Sequence, residues 1–340
     1  MRRDAQTIGL PVHVALAHSA GAVNNATPMT NRRLAAALCA LAIVLAAVAA
    51  RPAADDTPEY GPPTGTLVVV GGGSLDGTGI VERFIQLAGG PDASFVIVPT
   101  AGGNRNPDGS VRAYTEEDVV GPWVKRGIRN VRMLHTHDPK VADTEAFAAV
   151  LRSANGVWFS GGRQWNIVDS YMNTLTYREF HNVLARGGVI GGTSAGATIQ
   201  GDYLVRGAIA GPQVMMTPEK EHERGFNFLR RSAIDQHINT RNRWDDLIPV
   251  IQKMPELLGI GLSEGTAIIV TGDRLEVVGK WKVAIHDNTR LYQPWEKPYF
   301  VLSAGDVFNM KTRKLEKLGT GAAGRGGRGE ARGERIGERE

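Results

Sequence analysis

Residues 189–201 read V-I-G-G-T-S-A-G-A-T-I-Q-G, and the fold turns on this stretch. Val189 and Ile190 end a strand, two glycines follow, and small residues after Ser194 can open a helix. Residues 192–196 fit G-x-S-x-G, in which a serine sits on a sharp strand-to-helix turn and flanking glycines relieve the crowding. Such a turn lifts the serine oxygen clear of the sheet. It also aims the backbone N–H of Ala195, at a helix N-terminus, at whatever the serine attacks. A glycine-rich turn that only packs a helix on a sheet satisfies the same five residues, so the rest of the chain must separate the two readings.

Working outward, residues 67–70 form a buried strand that ends in Gly71-Gly72-Gly73-Ser74. The G-x-G-x-x-G spacing of a nucleotide turn fails there, because Asp76 stands where the third glycine belongs. A simpler role is to let the backbone turn tightly near a site. Helical patterns at 80–88, 116–126, 144–153 and 168–186 alternate with strands at 94–98, 131–134, 156–160 and 188–190. Continuous apolar strands alternating with helices predict an α/β, three-layer sandwich with a mostly parallel sheet covered on both faces. Glycine-rich turns after Val70, Ser160 and Ile190 then share the carboxyl edge, where such sheets bind ligands. Short apolar runs at 257–262, 266–270, 275–278 and 282–285, with turns such as Gly272-Asp273, read as an antiparallel C-terminal extension of that sheet. Residues 210–231 are irregular and charged and suit a surface loop.

The chain has 340 residues, 42% hydrophobic and 22% charged, an ordinary globular composition. The pI is near 9.2. Four arginines against one aspartate in residues 1–50 account for +3 of the net +4, so the remainder is nearly neutral and argues against a nucleic-acid surface. Arg32-Arg33 followed by the unbroken apolar run 34–50 and the small residues Ala47-Val48-Ala49 make a signal peptide over 29–50, with a membrane anchor as the other reading. Met29 is then the start, 1–28 an extension, and the mature protein secreted or periplasmic, with no membrane attachment. Cys39 lies inside the apolar run, which leaves the mature chain no thiolate, disulfide or cysteine metal ligand. Residues 51–64 read as a Pro-rich linker, 65–318 as the catalytic domain, and 319–340 as a disordered Gly/Arg/Glu tail.

Ser194 needs a base, and a base needs an orienting acid. His135 and His137 could bind metal, but no third ligand is evident nearby. His222, in a charged run, reads as solvated, and His286 ends a strand beside Asp287. His237 lies in the polar run 234–243, I-D-Q-H-I-N-T-R-N-R, which packing alone does not explain. Glu264 occupies a turn between two apolar strands, as a turn former or a site residue.

Taken together, G-G-T-S-A-G-A at 191–197, D-Q-H at 235–237, G-I-G-L-S-E-G-T-A at 259–267, G-G-R-Q at 161–164 and the 71–73 turn resemble the cyanophycinases and related serine peptidases. The resemblance covers residues 65–309. It implies a flavodoxin-like fold related to class I glutamine amidotransferases. It further implies Ser194 as nucleophile, His237 as base and Glu264 as orienting acid. The oxyanion donors would be the N–H groups of Ala195 and a glycine in the 161–162 turn, assigned to Gly162. Gln164, Asp235, Gln236, Arg241 and Arg243 match the family's substrate-pocket positions. No metal or cofactor is implied, the partner is a peptide bearing aspartyl residues, and a homodimer stays open. One departure follows Arg243. The family continues with a further basic residue, whereas here the chain reads Trp244-Asp245-Asp246. Cyanophycin is a polyaspartate with arginine on each β-carboxyl group, so exchanging a cation for carboxylates could favour a cationic group. The expectation is an exported peptidase acting on aspartyl or β-aspartyl-arginine peptides through an acyl-enzyme. The alternatives are a dipeptidase with another aspartyl substrate, a non-catalytic binding protein on the same scaffold, and, third, a nucleotide-binding protein using 71–73.

Overall fold

The computed structural model describes residues 57–319. The expectations placed on 1–28, on the signal peptide 29–50 with Cys39, on the start of the linker, and on the tail from 320 onward lie outside the described residues.

In chain order the elements are β1 (Thr66–Val70), α1 (Ile80–Leu87), β2 (Ser94–Val98), α2 (Glu116–Val124), β3 (Asn130–Met133), α3 (Pro139–Ala142), α4 (Glu145–Ala148) and β4 (Gly156–Phe159). There follow α5 (Gln164–Tyr171), α6 (Leu175–Ala185), β5 (Val189–Thr193), α7 (Ala195–Thr198), β6 (Ser232–Gln236), α8 (Ile248–Lys253) and β7 (Leu258–Leu262). The last strands are β8 (Thr266–Thr271), β9 (Arg274–Gly279), β10 (Lys282–Asp287), β11 (Phe300–Ser303), β12 (Val307–Asn309) and β13 (Lys314–Lys317).

Among the described residues a nine-stranded sheet runs β13-β12-β9-β8-β1-β5-β4-β2-β3. From β1 to β3 its pairings are parallel, and from β1 to β13 antiparallel. The parallel half follows from buried four- and five-residue apolar strands joined by helical crossovers. Val68 and Val70 face α1 and α2, sharing a core with Ile80, Phe84 and Trp123. Leu67 and Val69 face the other side, with Ile167 and Phe180 of α5 and α6. This alternation is the period of two expected of a strand buried on both faces.

A second sheet runs β11-β10-β7-β6. Its Ile260, Leu262, Val283 and Ile285 join the same core as Leu67 and Val69. Here the sequence reading needs correcting. β8 and β9 do extend the main sheet, but the runs at 257–262 and 282–285 do not. The chain passes back and forth, with β7 in the small sheet, β8 and β9 in the large one, and β10 and β11 in the small one again. Short buried strands carry the same apolar pattern in either sheet, so the pattern could not separate them.

Three further differences have simple causes. The predicted helix 168–186 is two helices, broken at Asn173, whose φ of 64° no helix accommodates. Residues 210–231 hold no strand and only a short 3₁₀ turn at Lys220–His222, but they are no solvated loop, since Phe226, Phe228 and Leu229 are buried. Such a burial contributes about 1.5–3 kcal/mol each. Residues 58–61, read as linker, are strapped down: the N–H of Gly61 donates to the Gly272 carbonyl at 3.0 Å, Tyr60 is buried, and Arg313 lies over its ring at 4.9 Å. At the other end the buried Gly319 donates to Asp306 Oδ1 at 2.8 Å and so belongs to the domain.

Candidate active site

Ser194 follows β5 with φ 56° and ψ −115°, a conformation that non-glycine residues rarely adopt. The surroundings fix it. Its N–H donates to the Val70 carbonyl at 3.0 Å, and its carbonyl accepts from the N–H groups of Ala197 and Thr198 at 2.9 and 3.1 Å. A Cβ on Gly192 would lie 2.2 Å from the Gly196 carbonyl oxygen, and one on Gly196 would lie 2.1 Å from that of Phe159. The strand-to-helix turn therefore closes only with glycine at both positions. Ala195 opens α7, and the first N–H groups of a helix have no partner within it.

His237 directly follows β6 with φ 58° and is almost fully buried. Its N–H donates to the Gly71 carbonyl at 2.9 Å, which ties the end of the small sheet to the end of β1. Its Nε2 lies 2.8 Å from Ser194 Oγ. Its Nδ1 lies 2.5 Å from Glu264 Oε1. Glu264 sits in the turn where the chain crosses from β7 to β8. Its N–H donates to Asn239 Oδ1 at 2.9 Å, and its Oε1 accepts from Thr240 Oγ1 at 2.9 Å. Hydroxyl, imidazole and carboxylate thus form one hydrogen-bonded chain, able to take a proton from the hydroxyl while the carboxylate steadies the imidazolium.

Burial lowers the His237 pKa, the Glu264 hydrogen bond pulls the other way, and the charges of Arg241 and Arg243 lower it further. The net effect favours the neutral imidazole, the form able to accept a proton. For Glu264, partial burial pushes upward, but the bonds from His237 and Thr240 hold it below the usual carboxyl value.

The turn at Gly71–Gly73 receives a definite role. A Cβ on Gly72 would lie 2.2 Å from His237 Cε1, and one on Gly73 would lie 2.7 Å from Glu264 Oε2. Both residues have positive φ, 106° and 73°. Glycine is required at these two positions by the close approach of the chain's own imidazole and carboxylate. The 161–162 turn also borders the site. A Cβ on Gly161 would lie 3.3 Å from Ser194 Cβ, whereas one on Gly162 would strike the Ala101 carbonyl at 2.1 Å.

The residues matched to a substrate pocket divide. Gln164 is buried at the start of α5, and its amide donates to the Val205 and Arg206 carbonyls at 2.8 and 3.0 Å. Asp235 is fully buried, and both its oxygens accept from Arg206, Nε and Nη2, at 2.8 Å each. Gln236 is buried and its Oε1 has no hydrogen-bond partner among the described residues. Arg243 is largely buried, with Nη1 3.5 Å from the Gln236 carbonyl and 3.9 Å from Asp235. Arg241 is exposed, and its backbone N–H donates to the His237 carbonyl at 3.0 Å. The departing acids are occupied as well, Asp246 by Arg206 Nη2 at 2.5 Å and Asp245 by Lys297 at 2.6 Å.

Other described histidines make different contacts. His222 is not solvated but buried, 2.7 Å from Asp169. His286 is buried with its pKa pushed down to about 4 by desolvation. His135 bonds Thr100 at 2.9 Å, and His137 lies 3.4 Å from Ser170 Oγ. Among the described residues no group of three or more histidines, cysteines and carboxylates could hold a metal ion. Sequence reasoning missed Asn239, Thr240 and Arg206. The first two stand inside the polar run that exposed His237, so the signal was present. Arg206 lies in no motif.

Residues 67–278 match Peptidase family S51. The cyanophycinase of Synechococcus elongatus is 29% identical over 286 residues, 78% of this chain and 85% of that one. That of Trichormus variabilis is 30% identical over 237 residues, 67% of this chain and 76% of that one. In fold, the chain is similar to the crystal structure of a peptidase from an acI-B1 Actinobacterium, with a TM-score of 0.55 and 22% identity over 74% of this chain and 98% of that one. This chain belongs to Peptidase family S51 and is a serine-type peptidase.

Proposed function

We propose that this S51 peptidase is exported and hydrolyses peptide bonds at aspartyl residues, the class that includes the β-arginyl aspartate of cyanophycin, with Ser194, His237 and Glu264 as its catalytic residues. The observation that carries the reading is the unbroken chain from Ser194 Oγ through the His237 ring to Glu264, 2.8 and 2.5 Å long. Ser194 Oγ attacks the scissile carbonyl carbon as its proton passes to His237 Nε2. The carbonyl oxygen takes up negative charge, for which the N–H groups of Ala195 and of the 161–162 turn would be the donors. Each such donor is worth about 3 kcal/mol in typical cases. His237 then gives the proton to the leaving amine, the C–N bond breaks, and the acyl group stays on Ser194. Water, deprotonated by the same imidazole, attacks the acyl-enzyme and releases the acid. Arg241 and Arg243, beside His237, would grip a substrate carboxylate with paired hydrogen bonds.

Export rests on the 29–50 segment of the sequence. N-terminal sequencing of protein from its native host should begin near Ala50, and a retained 34–50 segment would indicate an anchor. Incubation of the purified protein with insoluble cyanophycin and with aspartyl and β-aspartyl dipeptides tests the activity. Release of product by wild type but not by Ser194→Ala supports the reading. Hydrolysis of none of them removes the substrate class.

A further inference from the structure

The charged residues flanking His237 are unevenly compensated. Asp235 and Gln236 lie directly before His237, and Asp246 three residues after Arg243. A substrate carrying a guanidinium would need a carboxylate here. Asp235 has none to offer: it is fully buried, and both oxygens are taken by one guanidinium, that of Arg206. Asp246 is bound by the same guanidinium, and Glu264 is bound to His237 and Thr240. Arg206 is itself 3% exposed, held with φ 58° while Gln164 grips its carbonyl. This is a built device, since a buried carboxylate needs such a partner.

The cations are differently placed. The guanidinium of Arg241 makes no hydrogen bond or ion pair among the described residues, and its charge acts on both His237 and Glu264. Among the described residues Arg243 engages one carbonyl, at 3.5 Å, and a distant Asp235 oxygen, which leaves most of its five donors unfilled there. The site therefore presents uncompensated cations and compensated anions.

We infer that Arg206 is a specificity-determining residue, which neutralises Asp235 and Asp246 so that the pocket selects an aspartyl residue with a free carboxylate over one whose β-carboxyl bears arginine. The inference rests on the proposed peptidase site. It reverses what the Trp244-Asp245-Asp246 exchange suggests in sequence, because those acids are already occupied. Arg206 acts through Asp235 and Asp246 and is a positioning residue.

The test measures kcat/KM of the full chain on two peptides that differ only in an aspartyl β-carboxyl, free or joined to arginine, and on a neutral ester. Wild type should prefer the free carboxylate by about tenfold or more, as like-charge placement against Arg241 and Arg243 requires. Arg206→Gln, checked for a retained melting transition, should reduce that preference about tenfold as a ratio between the two peptides, with the ester rate of the same variant as the reference for any general loss, because the freed acids now compete with the arginines. Asp246→Asn, milder for folding, leaves Arg206 on Asp235 and should keep the preference. Ester hydrolysis with equal rates on the two peptides, or with the arginyl peptide preferred by wild type, overturns the inference alone. Absence of any Ser194-dependent hydrolysis overturns it together with the proposed function.

Discussion

The large sheet and the small one make different contributions to the same site. The large sheet delivers Ser194 at the end of β5, on a turn shaped by glycines. The small sheet delivers His237 at the end of β6. Glu264 belongs to neither and sits on the strand-to-strand crossing between them. Each of the two partners in the Ser–His contact directly follows its strand at positive φ, 56° and 58°. Backbone strain of that kind costs about 1–3 kcal/mol per residue and persists only where the surroundings enforce it. The site is thus assembled by docking two sheets, and the Gly71–Gly73 turn is the bearing between them.

The contrast can be tested by breaking each side in turn. The largest effect should come from either end of the proton path. Ser194→Ala and His237→Ala should each lower kcat on the order of 10⁴-fold or more, and the double variant should be little worse, because the residues act as one unit. Melting temperatures should stay near wild type for Ser194→Ala. Near-normal turnover by His237→Ala would mean that the small sheet does not supply the base.

A somewhat smaller loss is expected at the crossing. Glu264→Gln should lower kcat by up to about 10⁴-fold, since an amide cannot stabilise the imidazolium. Next comes the bearing: Gly72→Ala should cost about 10²-fold in kcat, because its methyl displaces the imidazole and misplacement of about 1 Å has that effect. A Gly72→Ala variant with unchanged activity and stability would show that the sheets do not need this close approach. The smallest effect is Thr240→Val. It removes one of the two hydrogen bonds on Glu264 Oε1, and a several-fold loss with an acid limb shifted upward should result.

The pH dependence follows from the same groups. His237 must be neutral to accept a proton, and its folded pKa lies below the ordinary 6.5. The acid limb of kcat/KM should therefore fall below pH 6.5, with a plateau above it. Stability has the same sign. His286 and His135 have folded pKa values pushed down to about 4 by burial. Between pH 6.5 and about 4 the unfolded chain binds protons that the folded chain does not, so stability is full above 6.5 and declines as the pH falls through this window. Urea midpoints measured at pH 7 and pH 5 would show it, and equal midpoints would refute it.

Much of the large sheet was legible in the sequence, because its strands are continuous apolar runs and its turn at Ser194 has a local signature. The second sheet was not. β7 and β10 have the same short apolar pattern as β8 and β9, and nothing local says which sheet a strand joins. His237 and Glu264 were found through motif resemblance and through an excess of polar residues after a strand. Their contact with Gly72 and Gly73 spans more than a hundred residues of chain and could not be read. Gln164 and Asp235 were legible as residues of the region, but not as the partners of Arg206, whose side chain forms no pattern with its neighbours.

The central claim is that the docking of the two sheets activates Ser194. Treatment with a fluorophosphonate, followed by intact mass and peptide mapping, tests it most directly. The account predicts one adduct, on Ser194, formed at a rate reduced at least about 10²-fold in His237→Ala. Labelling at another residue, or at Ser194 with equal speed in the two proteins, would contradict it.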